Sequence, residues 1–158
     1  MPPFRGIWML FAVALALGTP STAPADVAQR VPILLFGGPG YEDFLGCLNC
    51  ERSEPFSVWN ESVDYGSTTN PRSIWNRDGV YGSPSSPWSP WNPSSTTPPI
   101  AVDRAGNVYG QFTVNRSNPN RVRRHDRHEA SSEFEVLVWL QENYDWVIRN
   151  LDQVRAQY

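Results

Sequence analysis

Hydrophobic positions are most regular near the C-terminus. Leu137, Leu140, Tyr144, Val147, Leu151, Val154 and Tyr158 fall at alternating steps of three and four, the spacing of an apolar stripe on an α-helix. Ser132 with Glu135 forms a capping-box pattern, so one amphipathic helix roughly 37 Å long is predicted over 132–158. Val136, Trp139, Trp146 and Ile148 widen the stripe, which suits packing on a β region better than the narrow seam of a coiled coil. Self-association through 132–158 is the second reading of that helix. Upstream the period shortens to that of strands. Val31 to Phe36 is a short apolar run that ends at Gly37-Gly38-Pro39-Gly40. Ile100-Ala101-Val102, the turn Asp103 to Asn107 and the return Val108 to Val114 read as a β-hairpin. Val108, Gly110, Phe112 and Val114 would share one face, and Tyr109, Gln111 and Thr113 the other.

Between these elements the pattern is a repeat. Pro-x-Ser-x-Trp-Asn occurs at Pro55–Asn60, Pro71–Asn76 and Pro87–Asn92, 16 residues apart each time. Tyr65-Gly66-Ser67 is matched by Tyr81-Gly82-Ser83, while the third unit is cut short, as terminal repeats often are. Alternation within Ser-x-Trp-Asn predicts a short strand, with Val58 and Ile74 on one face and Trp59 and Trp75 on the other. Asp78-Gly79 then favours a tight turn, and Tyr-Gly-Ser would return. In-register stacking places Trp59, Trp75 and Trp91 in a column. There is no Leu between Cys50 and Pro99, so the aromatics must supply most of the burial there. The expected fold is mainly β: short stacked 16-residue hairpin-like repeats plus a β-hairpin, closed by one C-terminal amphipathic helix.

The N-terminus changes where this domain is expected to work. Arg5, the apolar run Ile7 to Leu17 and Ala23-Pro24-Ala25 before Asp26 read as a secretory signal peptide over 1–25. The run is about 11 residues against the roughly 20 of a spanning helix, so an uncleaved anchor is the weaker alternative. Cleavage near Ala25 would export residues 26–158 to the periplasm or beyond, with no transmembrane span left. The remainder divides into a β-rich repeat domain over 26–115, an Arg-rich connector over 116–131 and the 132–158 helix. Loss of Arg5 takes the formal charge from −3 to −4. Every basic residue is Arg, a bias we read as that of a GC-rich bacterial genome. Six acids lie between Glu42 and Asp64, and five Arg between Arg116 and His128. An exported chain rarely meets nucleic acid, so the Arg-rich stretch reads as a solvated connector rather than a polyanion grip.

Candidate chemistry is sparse. Cys47-Leu48-Asn49-Cys50 in an oxidising compartment reads first as a short-loop disulfide, and a redox centre lacks its βαβ setting. Zinc held by Cys47, Cys50, His125 and His128 has the right ligand types, but 74 residues separate the pairs and Arg neighbours would repel a cation. Gly37-Gly38-Pro39-Gly40 looks like a hydrolase oxyanion loop, yet no Gly-x-Ser-x-Gly accompanies it. Asp64, Asp78 and Asp103 sit in turns without a calcium motif. The sequons at Asn60 and Asn115 matter only in a eukaryotic source. No cofactor is expected. Exposed, Trp59, Trp75 and Trp91 with Tyr65 and Tyr81 would form a glycan-binding row; buried, they would be the core. An enzyme would require convergence among Asp103, His125, His128 and Glu129, and a small hydrolase or zinc-dependent enzyme is the least favoured class.

From Phe44 to Asn115 the chain resembles a group of small uncharacterised bacterial secreted proteins. They share Leu-Gly-Cys-Leu-Asn-Cys (here Leu45 to Cys50), repeated Ser-x-Trp-Asn and Tyr-Gly-Ser, Ser-Pro-Trp-Asn (Ser89 to Asn92) and a closing Asp-x-x-Gly-Asn-x-Tyr-Gly-x-Phe-Thr (Asp103 to Thr113). The resemblance implies a shared architecture and no catalytic residue. The expectation is an exported, non-enzymatic binding or structural module, with an envelope glycan or another exported protein as partner.

Overall fold

The computed structural model describes residues 31–123 and 132–158. The expected leader over 1–25 lies outside them, as do His125, His128 and Glu129 of the connector. The described chain is a small domain with a four-stranded antiparallel sheet and C-terminal helices. Strand β1 (Leu34–Gly37) leads through a 3-10 turn at Pro39–Tyr41 into β2 (Asp43–Cys47), and β3 (Ile100–Val102) and β4 (Val108–Gln111) form the expected hairpin. The order is β2-β1-β3-β4, so β1 is interior and pairs with a strand more than 60 residues away, Leu35 opposite Ala101.

β2 was not expected, because Gly46 reads as a turn residue. Gly46 instead flanks a bulge in β2 itself, where Leu35 pairs with Gly46 and Phe36 with Phe44 so that Leu45 is extra; its φ is 111°. A Cβ there would lie 2.9 Å from Tyr65 Cβ and from Val58 Cγ1, so only glycine lets residues 56–65 lie against the strand. β4 also ends earlier than the alternation implies. Val108 is 60% exposed and Phe112 is fully buried beyond the strand's end. Phe112 N–H bonds to Pro99 O at 2.7 Å, and Val114 N–H leaves the sheet for Pro90 O at 2.8 Å.

The repeats are not hairpins. Residues 51–99 contain no strand, only the isolated bridge of Ser57 to Cys47. The chain advances by consecutive turns in which each closing N–H bonds three residues back: Ser57 to Glu54, Asn60 to Ser57, Val63 to Asn60 and Gly66 to Val63. The reason is local chemistry. In each Ser-x-Trp-Asn the Ser Oγ accepts the N–H of the Trp two residues on, at 3.2, 3.1 and 3.1 Å. The Asn Oδ1 likewise accepts from Ser62, Asp78 and Ser94. Such side-chain bonds offer the backbone an alternative to a ladder. Both supposed faces are therefore inside: Val58, Ile74, Trp59 and Trp75 are all 0–1% exposed.

The expected single helix is broken in two. α1 (Ser132–Arg149) departs from helical geometry at Asn143 (φ −118°, ψ 18°), and α2 (Leu151–Arg155) follows the non-helical Asn150. Both Asn side chains donate back to the carbonyl four residues earlier, Asn143 to Trp139 O and Asn150 to Trp146 O. That competition bends the rod. The Ser132 side chain of the expected capping box lies outside what is described. Leu137, Leu140, Val147 and Val154 face inward and join Leu35, Leu45, Leu48, Val58 and Ile74 in one core.

Candidate functional site

The Cys-x-x-Cys segment is a structural knot. Cys47 and Cys50 form a disulfide with Cα atoms 5.5 Å apart. Both thiols are therefore committed, which removes two of the four ligands a zinc site would need. The residues between them work as well. Asn49 accepts Ile33 N–H at 2.7 Å and donates to Val31 O at 2.8 Å, clamping the start of the described chain. Leu48 is fully buried, and its carbonyl accepts the indole N–H of Trp59 at 2.7 Å. Ser57 Oγ closes the loop by donating to Cys50 O.

From that knot the indoles continue as a column. Trp75 Nε1 donates to Val58 O at 2.6 Å, and Trp91 Nε1 to Ile74 O at 2.5 Å. Each indole thus reaches back to the residue just before the Trp of the preceding unit. Ring centroids are 5.3 Å apart from Trp59 to Trp75 and 5.5 Å from Trp75 to Trp91. The C-terminal segment closes both ends: Tyr158 stacks on Trp59 and Tyr144 on Trp91, each at 4.3 Å. Tyr144 lies on α1 and Tyr158 three residues past the end of α2, so the two caps are carried on either side of the break at Asn150. Phe112 meets Trp91 edge-on at 5.3 Å. Trp59, Trp75 and Trp91 are 0, 1 and 2% exposed, so none presents a ring face to a sugar.

The glycine of Tyr-Gly-Ser has a matching role. A Cβ on Gly66 would lie 2.1 Å from Asn60 O, and one on Gly82 2.1 Å from Asn76 O. The unit closes tightly on its own Asn, whose side-chain amide donates to the carbonyl six residues back in all three copies.

The two tyrosines of that motif part company. Tyr65 is half-buried in a cluster with Phe44 and Phe56, at 5.0 and 6.4 Å. Tyr81 is 7% exposed, and its hydroxyl donates to the Asp43 carboxylate beside Gly38. Burial first, then the bond and charge of Asp43, push the Tyr81 pKa far above the ordinary phenol value. The glycine loop is thus the β1–β2 connection, closed by Tyr41 N–H to Gly38 O at 3.1 Å.

Asp103 is fully engaged in the hairpin turn. Its oxygens accept from Ala105 N–H, Asn107 N–H, the Asn107 amide and the Tyr109 hydroxyl. The Asn107 amide foremost holds its carboxyl below the usual range. Asp64 accepts from Asn70 at 2.9 Å. Among the described residues no three His, Cys, Asp or Glu side chains converge as metal ligands, and no helix is long and apolar enough to cross a membrane.

Two features escaped sequence reasoning. Tyr144 and Tyr158 lie on the apolar stripe, but nothing in the stripe distinguishes a column cap from a generic core contact. Arg155 is 4% exposed and donates to Gly66 O, although Arg in a last helical turn normally reads as solvated. Compared with known proteins, the chain matches no family model, no curated protein and no solved structure.

Proposed function

We propose that this chain is an exported, disulfide-stapled binding or structural module without catalytic activity, built on stacked 16-residue units. The observation that carries it is the column: three repeat indoles are buried to within 2%, and each N–H is donated inward to a backbone carbonyl. Aromatic residues that form the support are not available as a ligand row. Asp103, the described member of the enzyme candidates, is committed to its own turn. An oxidising compartment is supported by the Cys47–Cys50 bridge and the signal-like leader, since disulfides persist where thiols are not kept reduced. The architecture and export are shared, on this reading, with the small bacterial secreted proteins that carry the same motifs.

Expression of the full chain in a bacterium tests the proposal. The exported fraction should contain protein that begins at Asp26 and resists thiol alkylation until reduced. Retention in the cytosol with two reactive thiols would contradict it.

A second reading keeps glycan recognition but moves it to the helices. Trp139 and Trp146 are 38 and 42% exposed, pair edge-on at 6.1 Å, and Trp139 borders a cleft of about 330 Å³ with Glu135, Glu142 and Gln157. Cosedimentation with insoluble cell-wall glycan, lost in Trp139→Ala, would favour this reading over a purely structural role.

A further inference from the structure

A second cleft, of about 460 Å³, lies between residues 68–78 of the turn region and the α1–α2 junction. That volume is in the range of small-molecule sites. Its floor includes Trp75, and its walls carry Arg77, Arg149 and Arg155. Opposing them on the lining are Asp78 and Asp152, which leaves one positive charge in excess. Arg77 and Arg149 are exposed and form no ion pair among the described residues.

Arg155 is held in place yet incompletely neutralised. One terminal nitrogen donates to Gly66 O, and the other meets Asp152 at 3.3 Å. The Arg155 side chain is 5% exposed and that of Asp152 97%, so the counter-charge is solvated while the guanidinium is not. Burying a charge this way is costly unless something else compensates.

A second observation points to the same place. The buried side-chain polar atoms without a partner among the described residues are Arg155 Nε and Tyr144 Oη. The first belongs to a residue on the wall of the cleft; the second lies outside that lining, where Tyr144 stacks on Trp91. Unsatisfied buried groups commonly mark a water or ion. Guanidinium groups gathered on one cleft suit clustered oxygens, which they bind bidentately.

We propose that this cleft binds a small oxyanion bearing two or more negative charges, gripped by Arg77 and Arg149 at the mouth and oriented toward the buried charge of Arg155. Thr68 and Gln153 add hydrogen-bonding groups on the lining. Phosphate and polycarboxylate share this chemistry.

The test uses the full exported chain, titrated calorimetrically with inorganic phosphate in one arm and citrate in the other, at ionic strength fixed with sodium chloride. Saturable binding in either arm is expected, and the arm that binds identifies the oxyanion. At ten times the dissociation constant the midpoint of thermal unfolding should rise by about 4 °C. Arg77→Gln with Arg149→Gln should weaken binding at least tenfold while leaving the ligand-free midpoint and circular dichroism unchanged, since both side chains are exposed. No saturable binding in either arm would overturn the proposal, as would equal binding by the double variant. Export and disulfide formation are read separately, so a failure here is distinguishable from a failure of the functional reading.

Discussion

Trp75 sits in the middle of the column, between Trp59 at 5.3 Å and Trp91 at 5.5 Å, with 1% of its surface exposed. Truncation to alanine removes the central ring and leaves a cavity that both neighbours border. Substitutions of this kind cost about 3–5 kcal/mol, against a total of roughly 5–15 kcal/mol for a domain of this size. Trp75→Phe separates the two contributions. It keeps an aromatic ring in the stack but removes the N–H that bonds Val58 O at 2.6 Å, a loss of about 1–3 kcal/mol. Trp146 is the control, aromatic but 42% exposed, and its truncation should cost less than about 1 kcal/mol. Urea unfolding followed by far-ultraviolet circular dichroism, with the disulfide intact, measures all three. The expected order is Trp75→Ala well above Trp75→Phe, and Trp75→Phe above Trp146→Ala. If Trp75→Ala costs no more than Trp146→Ala, the column is not what holds the domain together.

Gly66→Ala and Gly82→Ala should each destabilise by more than about 2 kcal/mol, because the new Cβ meets a carbonyl oxygen at 2.1 Å; chemical denaturation checks this. Reducing the disulfide, or replacing both cysteines by serine, opens a very short loop and should cost about 2 kcal/mol, read as a shifted denaturation midpoint. Tyr81 holds its proton more tightly folded than unfolded, so its contribution is complete below the ordinary phenol pKa of 10.0 and lost as pH rises above it. Tyr81→Phe should flatten that alkaline decline in a plot of stability against pH. Asp103 has the opposite sign: its lowered pKa stabilises above the ordinary value of 3.8 and is lost as pH falls through the folded value. Asp103→Asn should make acid unfolding less steep.

The hairpin at Ile100–Gln111, the inward stripe of the C-terminal helices and the Trp column were legible because each rests on a strong local period or turn. The Cys47–Cys50 bridge was legible from the Cys-x-x-Cys spacing together with the oxidising compartment expected from the leader. What misled was the alternation at Ser-Val-Trp-Asn. The same Ser and Asn that punctuate the repeat also bond their own backbone, and the local bonds defeat a strand whose two faces would both be apolar. Strand β2 was hidden because a glycine at positive φ reads as a turn whether it ends a strand or bulges one. The break at Asn143 and Asn150 was not expected, because polar residues seven apart read as the solvent face of one helix, and their bonds back to Trp139 O and Trp146 O emerge only in the fold. Pairing of β1 with β3 has no local trace at all. The same holds for the cleft between Arg77, Arg149 and Arg155, whose members become neighbours only when α2 packs beside the second turn unit.

Burial of the repeat indoles as a hydrogen-bonded core, rather than their display to a ligand, is the claim on which the rest depends. Hydrogen exchange of the indole N–H groups, resolved by nuclear magnetic resonance on the purified chain, tests it directly. The protons of Trp59, Trp75 and Trp91 should exchange slowly and only as the domain opens, while those of Trp139 and Trp146 exchange at close to the free rate. Fast exchange at all five, or protection of the repeat indoles only when a glycan is added, would contradict it.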